Sequence, residues 1–197
     1  MEITYRPANE VSWDDIRTVF GDRGDAAHCW CQRHKSADKW LGVPPEALAE
    51  RLREQTNCGD PEAKDTSGFL AFLDGEPVAW CAIEPRPNYD RLLGMPIPWK
   101  GRDEDKSDDS VWAVTCFVVR KGYRLQGISY ELAREAVAYA RRRGARALEA
   151  YPIRTEPGKN IIWGEVHVGA YSVFVAAGFH EVTHPTKRRY VMRVDFG

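Results

Sequence analysis

One stretch, residues 111–143, narrows the folds open to this chain more than any other. Residues 111–120 are β-branched and mostly apolar, as in a strand buried on both faces. The run passes into Lys121-Gly122-Tyr123-Arg124-Leu125-Gln126-Gly127, and a helix opens at Ser129. Leu132, Ala133, Ala136, Val137 and Ala140 share one face of that helix, and Gly144 stops it. A strand feeding a helix through a short glycine loop aims unpaired backbone N–H groups and a helix N-terminus at one place. That is an anion site, most naturally for phosphate. Gly127 lets the backbone approach an anion, and Arg124 adds a full positive charge. No Gly-Lys-Ser/Thr closes the loop and the glycine spacing is not a dinucleotide fingerprint. The plainer alternative is a tight strand-to-helix turn.

The flanking segments fix the class. Residues 3–8 read as a strand, and Ser12 with Asp15 starts a capped helix reaching about Phe20. Pro44 and Pro45 suit the first turn of a helix with Leu48, Ala49 and Leu52 as its apolar stripe, ended by Asn57 and Gly59. Residues 67–73 and 77–84 read as strands joined by Asp74-Gly75, a strong hairpin signal. Residues 147–153 are a further strand, 169–177 a short helix stopped by Gly178, and 179–196 two strands around His184-Pro185-Thr186. Two hairpins exclude a purely parallel sheet, so the class is α+β (mixed α/β). Two segments, 85–110 and 154–166, read as long loops, and loops of that size in a compact domain carry function or are disordered. The expectation is one domain over residues 1–197.

The chain has 197 residues, with 28 Lys plus Arg against 29 Asp plus Glu. A net charge of −1 argues against a nucleic-acid or anionic-membrane binder. Apolar runs are too short to span a bilayer, and the N-terminus shows no basic-then-apolar leader. Five cysteines without an export signal read as reduced thiols in a cytoplasmic protein.

At Arg124-x-x-Gly127-x-Ser129 the sequence resembles the GNAT superfamily of N-acetyltransferases, whose acetyl-CoA motif is Arg/Gln-x-x-Gly-x-Gly/Ala after a strand. Ser129 is a small-residue departure at its last position. A second landmark, an Ala and a Tyr on a short helix followed by Gly-Phe, is matched by Ala170, Phe174, Gly178 and Phe179. The element order matches from residue 3 to residue 195. The resemblance implies a mostly antiparallel, twisted sheet of about seven strands that splays at the fourth, flanked by about four helices. It also implies acetyl-CoA as co-substrate and direct attack by an amine in a ternary complex.

In that arrangement Phe117, Val118 and Val119 hold the pantetheine arm, with an N–H near Val118 for the oxyanion. Arg124, Leu125, Gln126, Gly127, Ile128 and Ser129 cradle the diphosphate. An acceptor amine needs a base. Glu84, at the end of the third strand, leads, with Asp108, Asp109, Glu149 or a water as rivals; a solvated strand-end carboxylate is its plain alternative. The family's acid is a Tyr where this chain has Phe174, which cannot donate, so Tyr171 is the substitute. His167 replaces an Asn that touches pantetheine in the family.

Other features divide between chemistry and packing. His28-Cys29-Trp30-Cys31-x-x-His34 has poor spacing for zinc and reads as buried thiols beside a Trp, or as acceptor-pocket lining; no metal is expected. Trp30, Trp40, Trp99, Trp112 and Trp163 lie where aromatic walls would suit a flat or cationic acceptor. The acidic run 103–109 would attract such a cation, or is a mobile loop. The basic runs 141–143 and 187–189 read as solvated surface or as help for CoA. The expected activity is acetyl transfer to the primary amine of a small molecule, with a homodimer possible. A non-catalytic acyl-CoA-binding module and an acyltransferase with a longer donor are the alternatives.

Overall fold

The computed structural model describes residues 2–38, 40–156, 158 and 161–197. Seven strands form one sheet in the order β1-β2-β3-β4-β5-β7-β6. They are β1 (Ile3–Pro7), β2 (Phe69–Leu73), β3 (Glu76–Pro85), β4 (Val111–Val119), β5 (Ala147–Ala150), β6 (His180–Thr183) and β7 (Val191–Asp195). Neighbours are antiparallel except β4 and β5, which run parallel. The β2–β3 hairpin turns on Asp74 (φ 49°) and Gly75 (φ 86°), two left-handed residues that match strand twist.

Four longer helices fall where apolar periodicity puts them: α1 (Trp13–Phe20), α3 (Pro45–Thr56), α5 (Ile128–Arg142) and α7 (Tyr171–Ala176). Ser12 and Asp15 form a reciprocal capping box on α1. Three short helices lie inside segments that the sequence reads as irregular: α2 (Asp25–Cys29), α4 (Asp90–Gly94) and α6 (Trp163–Val166). Strand β5 stops at Ala150, short of the expected residue 153; Ile153 makes only isolated bridges, to Ala170 and Arg189. Part of the long 154–166 segment lies outside the described residues.

Alternation along the strands builds two cores. Phe69, Val114, Phe117 and Leu148 pack under α5 with Leu132, Ala136 and Phe174. Leu70, Trp80, Cys116 and Val118 pack on the other face with Ile16, Trp30, Leu48 and Leu52. The Cys-Trp-Cys segment belongs to this second core. Trp30 stacks on Phe20, and the Trp80 indole donates to Cys31 Sγ at 3.1 Å.

The 85–110 segment is neither loose nor a free acidic patch. Arg86, with a fully buried side chain, donates to Glu104 at 3.0 Å and lies 3.3 Å from Glu149 on β5. Arg102 and Arg193 join both carboxylates, and Tyr151 donates to Glu149 at 2.8 Å. Burial pushes Glu149 up, but Arg102, Arg193 and Arg86 outweigh it and hold its carboxyl below the usual range. Three guanidiniums and two carboxylates therefore clamp this segment to β5 and β7. The acidic run is largely committed to internal bonds, since Asp105 binds Ser107 and Asp108 binds Ser110 and Arg146. The expected attraction of a cationic acceptor by this run is withdrawn.

Candidate functional site

The site begins where pairing fails. Strands β4 and β5 pair only from Val111↔Ala147 to Val114↔Ala150. Beyond that, β4 stays on β3 as far as Ala79↔Val119, while the chain after β5 turns away. Residues 166–171 fill the opening. The Phe117 N–H donates to the His167 carbonyl at 2.6 Å, and Ile153 N–H donates to the Gly169 carbonyl at 3.1 Å. Amide direction alternates along a strand. Phe117 N–H faces the opening and Arg120 N–H donates to Val78 on β3. Val119 N–H therefore also faces the opening, and that of Val118 faces β3. Since the Phe117 N–H is already given to the His167 carbonyl, the amide positioned for an oxyanion is that of Val119, not that of Val118.

A cavity of about 370 Å³ lies on the α5 side of residues 166–170. Phe117, Val119, Trp163, Val166, Gly169 and Val173 make it apolar, and Arg124, Leu125, Gly127, Ile128 and Ser129 close its end at the start of α5. The first turn of α5 has no side-chain cap, which leaves its amides facing outward. Gly127 is left-handed (φ 80°) and so is Leu125 (φ 61°), which is fully exposed. A non-glycine residue held there stores on the order of 1–2 kcal/mol of strain, which the surroundings must impose. Gly127 answers to that backbone rather than to crowding, since a Cβ would meet no atom within 4 Å.

Not every expected residue reaches this cavity. The Val118 side chain points into the opposite core, and the Gln126 amide turns back onto the Gly122 carbonyl at 2.9 Å. Phe174 is fully buried, stacked on Phe117 at 5.5 Å behind the cavity wall. Tyr171 packs on Tyr190 at 4.7 Å with Arg154 over its ring, and is not in the cavity lining. Glu84 is buried against the Lys35 ammonium, accepts from Asn88 at 3.0 Å, and lines a separate hollow with Trp112 and Arg143. A carboxylate so placed cannot take a proton from an amine in the opening. Asp108 lies before β4, at the end away from the splay, and hydrogen bonds from Ser110 and Arg146 bring it to about 2. Glu149 is saturated by its arginines.

A second cavity, of about 250 Å³, lies across the same segment. Val166 and Gly169 line the first, His167 and Val168 the second, so a single run of chain separates them. Leu92, Tyr151 and Val191 in its wall pack with Ala113, on the sheet face away from α5. Its polar wall is Arg33, Arg91, Arg189, His34 and His167. Burial lowers His34 to about 4, and the three arginines add to it; burial, His34, Arg33 and Arg189 lower His167 to about 3. Both imidazoles are neutral at pH 7. His167 Nδ1 lies 3.0 Å from the Gly164 carbonyl, which fixes the proton on Nδ1. Its Nε2 is then a bare lone pair, buried and without a hydrogen-bond partner.

The sequence gives none of these five side chains a specific role toward an acceptor: His34 ends the segment read as buried thiols or acceptor-pocket lining, Arg189 lies in a run read as solvated surface or help for CoA, and His167 stands for a family pantetheine contact. The arginines come from three distant segments, so no spacing announces them.

Among the described residues, no group of three or more His, Cys, Asp or Glu side chains could hold a metal ion. No described helix is long and apolar enough to cross a membrane.

Comparison with known proteins agrees with this geometry. No curated protein matches the chain. An N-acetyltransferase from Staphylococcus aureus Mu50 superposes with a TM-score of 0.56 at 10% identity, over 99% of each chain. A GCN5-related N-acetyltransferase from Kribbella flavida gives 0.54 at 16%, over 98% of each. The PaiA N-acetyltransferase of Thermoplasma acidophilum, in complex with coenzyme A, gives 0.52 at 16%, over 100% of each. At these identities the likeness is one of fold. The Acetyltransferase (GNAT) family matches residues 28–158, the stretch from α2 past the glycine loop to the turn after β5, and the chain belongs to that family.

Proposed function

We propose that the protein transfers an acetyl group from acetyl-CoA to the amine of a small molecule, the thioester reaching from the α5-side cavity and the amine from the arginine-lined one. The observation that carries this is the pair of cavities on opposite faces of the splay, divided only by residues 166–169. The apolar cavity suits a pantetheine arm. The uncapped start of α5, with Gly127, Ile128 and Ser129, suits the diphosphate. The coenzyme A bound to the PaiA relative supports the same co-substrate.

The acceptor nitrogen attacks the thioester carbon, a C–N bond forms and the C–S bond breaks. The Val119 N–H, which faces the splay, stabilises the oxyanion. His167 Nε2, a lone pair beside the partition, takes the ammonium proton. The thiolate leaves without help from Phe174 or Tyr171. A thiol of pKa about 8.5 is a fair leaving group, and solvent reprotonates it.

Gly127→Val tests the diphosphate assignment. A β-branched residue at φ 80° cannot hold the loop. Calorimetric titration with acetyl-CoA should show at least tenfold weaker binding with Tm within a few degrees. Unchanged affinity refutes the assignment.

A further inference from the structure

The acceptor itself is described by the arginine-lined cavity. Resting on the transfer reading above, we infer that the acceptor amine carries an acidic group, carboxylate or phosphonate, which Arg33, Arg91 and Arg189 hold.

Charge comes first. The described lining contains three guanidiniums and no carboxylate. Arg91 and Arg189 make no salt bridge with any described carboxylate, in a chain where Arg86, Arg102 and Arg193 are all paired. Three half-buried cations line one hollow; Glu165 partly offsets Arg189 from outside the lining, and no carboxylate within the lining neutralises them. An oxyanion ligand would.

Pre-organisation is the second observation. The Arg33 guanidinium lies over the Trp40 ring at 4.6 Å and donates to the Gly164 carbonyl at 3.3 Å. Its Nε is buried without a partner. A buried donor left unmet costs about 1–3 kcal/mol unless something accepts from it. Together with Nε2 of the buried His167 (6% exposed), it puts an orphan donor and an orphan acceptor beside one cavity. An amino acid supplies the complement of each.

Size is the third. A volume near 250 Å³ is below the usual range for drug-sized ligands and fits an amino acid or its phosphonate analogue, not a folded polypeptide segment. A polyamine fits the volume and fails on charge.

The same field serves the chemistry. A cationic wall disfavours the protonated amine and so raises the share of free nucleophile. The bound acid group offsets the arginine share of the His167 shift, while burial, its largest cause, remains. An ammonium without the acid group meets the cationic wall uncompensated.

The test uses matched pairs: α-amino acids and aminoalkylphosphonates against the same amines lacking the acid group, plus a polyamine. CoA thiol release and direct calorimetric binding are both read, and acetyl-CoA affinity is measured separately. The expected result is a kcat/KM or binding constant at least a hundredfold in favour of the acid-bearing members. Arg91→Gln and Arg189→Gln should each remove tenfold or more of that preference while acetyl-CoA affinity stays within twofold. Whether carboxylate or phosphonate ranks first identifies the acid. Equal or better handling of uncharged amines or polyamines overturns the inference and leaves the transfer reading intact. Binding of neither class, with acetyl-CoA bound normally, also overturns it. Failure of acetyl-CoA itself to bind sinks the transfer reading instead.

Discussion

His167→Asn should reduce kcat by about 10²–10⁴-fold, the range for losing a positioned general base. Asparagine places an amide nitrogen near the position of Nδ1, so the bond to the Gly164 carbonyl survives and only the Nε2 lone pair is lost. The contact that ties this residue to β4 runs through its main-chain carbonyl to Phe117 N–H and is indifferent to the side chain. Acetyl-CoA affinity should therefore hold within about threefold, and Tm within a few degrees. His167→Gln, which offers an amide nearer the Nε2 position, should be equally slow, since an amide cannot take the proton. The pH profile separates this role from a packing role. Because the free-protein imidazole sits near 3, wild-type kcat/KM should show no acid-side loss of His167 between pH 5 and 7. The rising limb belongs to the acceptor amine. In the asparagine variant the amine must deprotonate to solvent, and the slope of that limb should persist at a much lower plateau. Activity within threefold of wild type in either variant removes His167 from the reaction.

The second large effect concerns the partition between the cavities. A Cβ at Gly169 would stand 3.0 Å from Phe174 Cζ, closer still to its Cε2, and 3.3 Å from Phe117 Cδ2. The φ of 88° there is itself strained for any side chain. Phe174 is fully buried between Phe117 and Phe179 and has nowhere to retreat. Gly169→Ala should cost about 2–4 kcal/mol from overpacking plus backbone strain. For a chain of this length that lowers Tm by roughly 5–15 °C in a calorimetric scan. Phe174→Leu in the same background should recover part of the loss by giving the Cβ room. A Gly169→Ala protein as stable as wild type would mean that the ring stack does not define this wall.

The elements and the α5-side cavity were legible in the residues, the arginine-lined cavity was not. Strand β4 declares itself by a β-branched, mostly apolar run, α5 by its period, and the β2–β3 register by Asp74-Gly75. These are local signals within one turn or one hairpin. The glycine loop is also local, so the α5-side cavity could be anticipated. Glu84 misled because nothing in sequence reveals Lys35 folded against it. Glu149 sits at a strand position that alternation marks, yet its partners arrive from residues 86, 102 and 193. The arginine-lined cavity is the extreme case, its guanidiniums being contributed by residues 33, 91 and 189. Such clusters arise only from tertiary closure. Phe174 shows the converse. The aligned position could be named, but only packing reveals that its ring lies behind the cavity rather than in it.

The central claim, that the start of α5 and the β4 splay hold the co-substrate, is met most directly by a crystal structure with bound coenzyme A. Diphosphate oxygens should lie within about 2.7–3.2 Å of the amides around residues 127–129, with the thiol end beside Phe117 and the 166–169 partition. Coenzyme A seated instead against Arg33, Arg91 and Arg189, or away from the splay altogether, would contradict it.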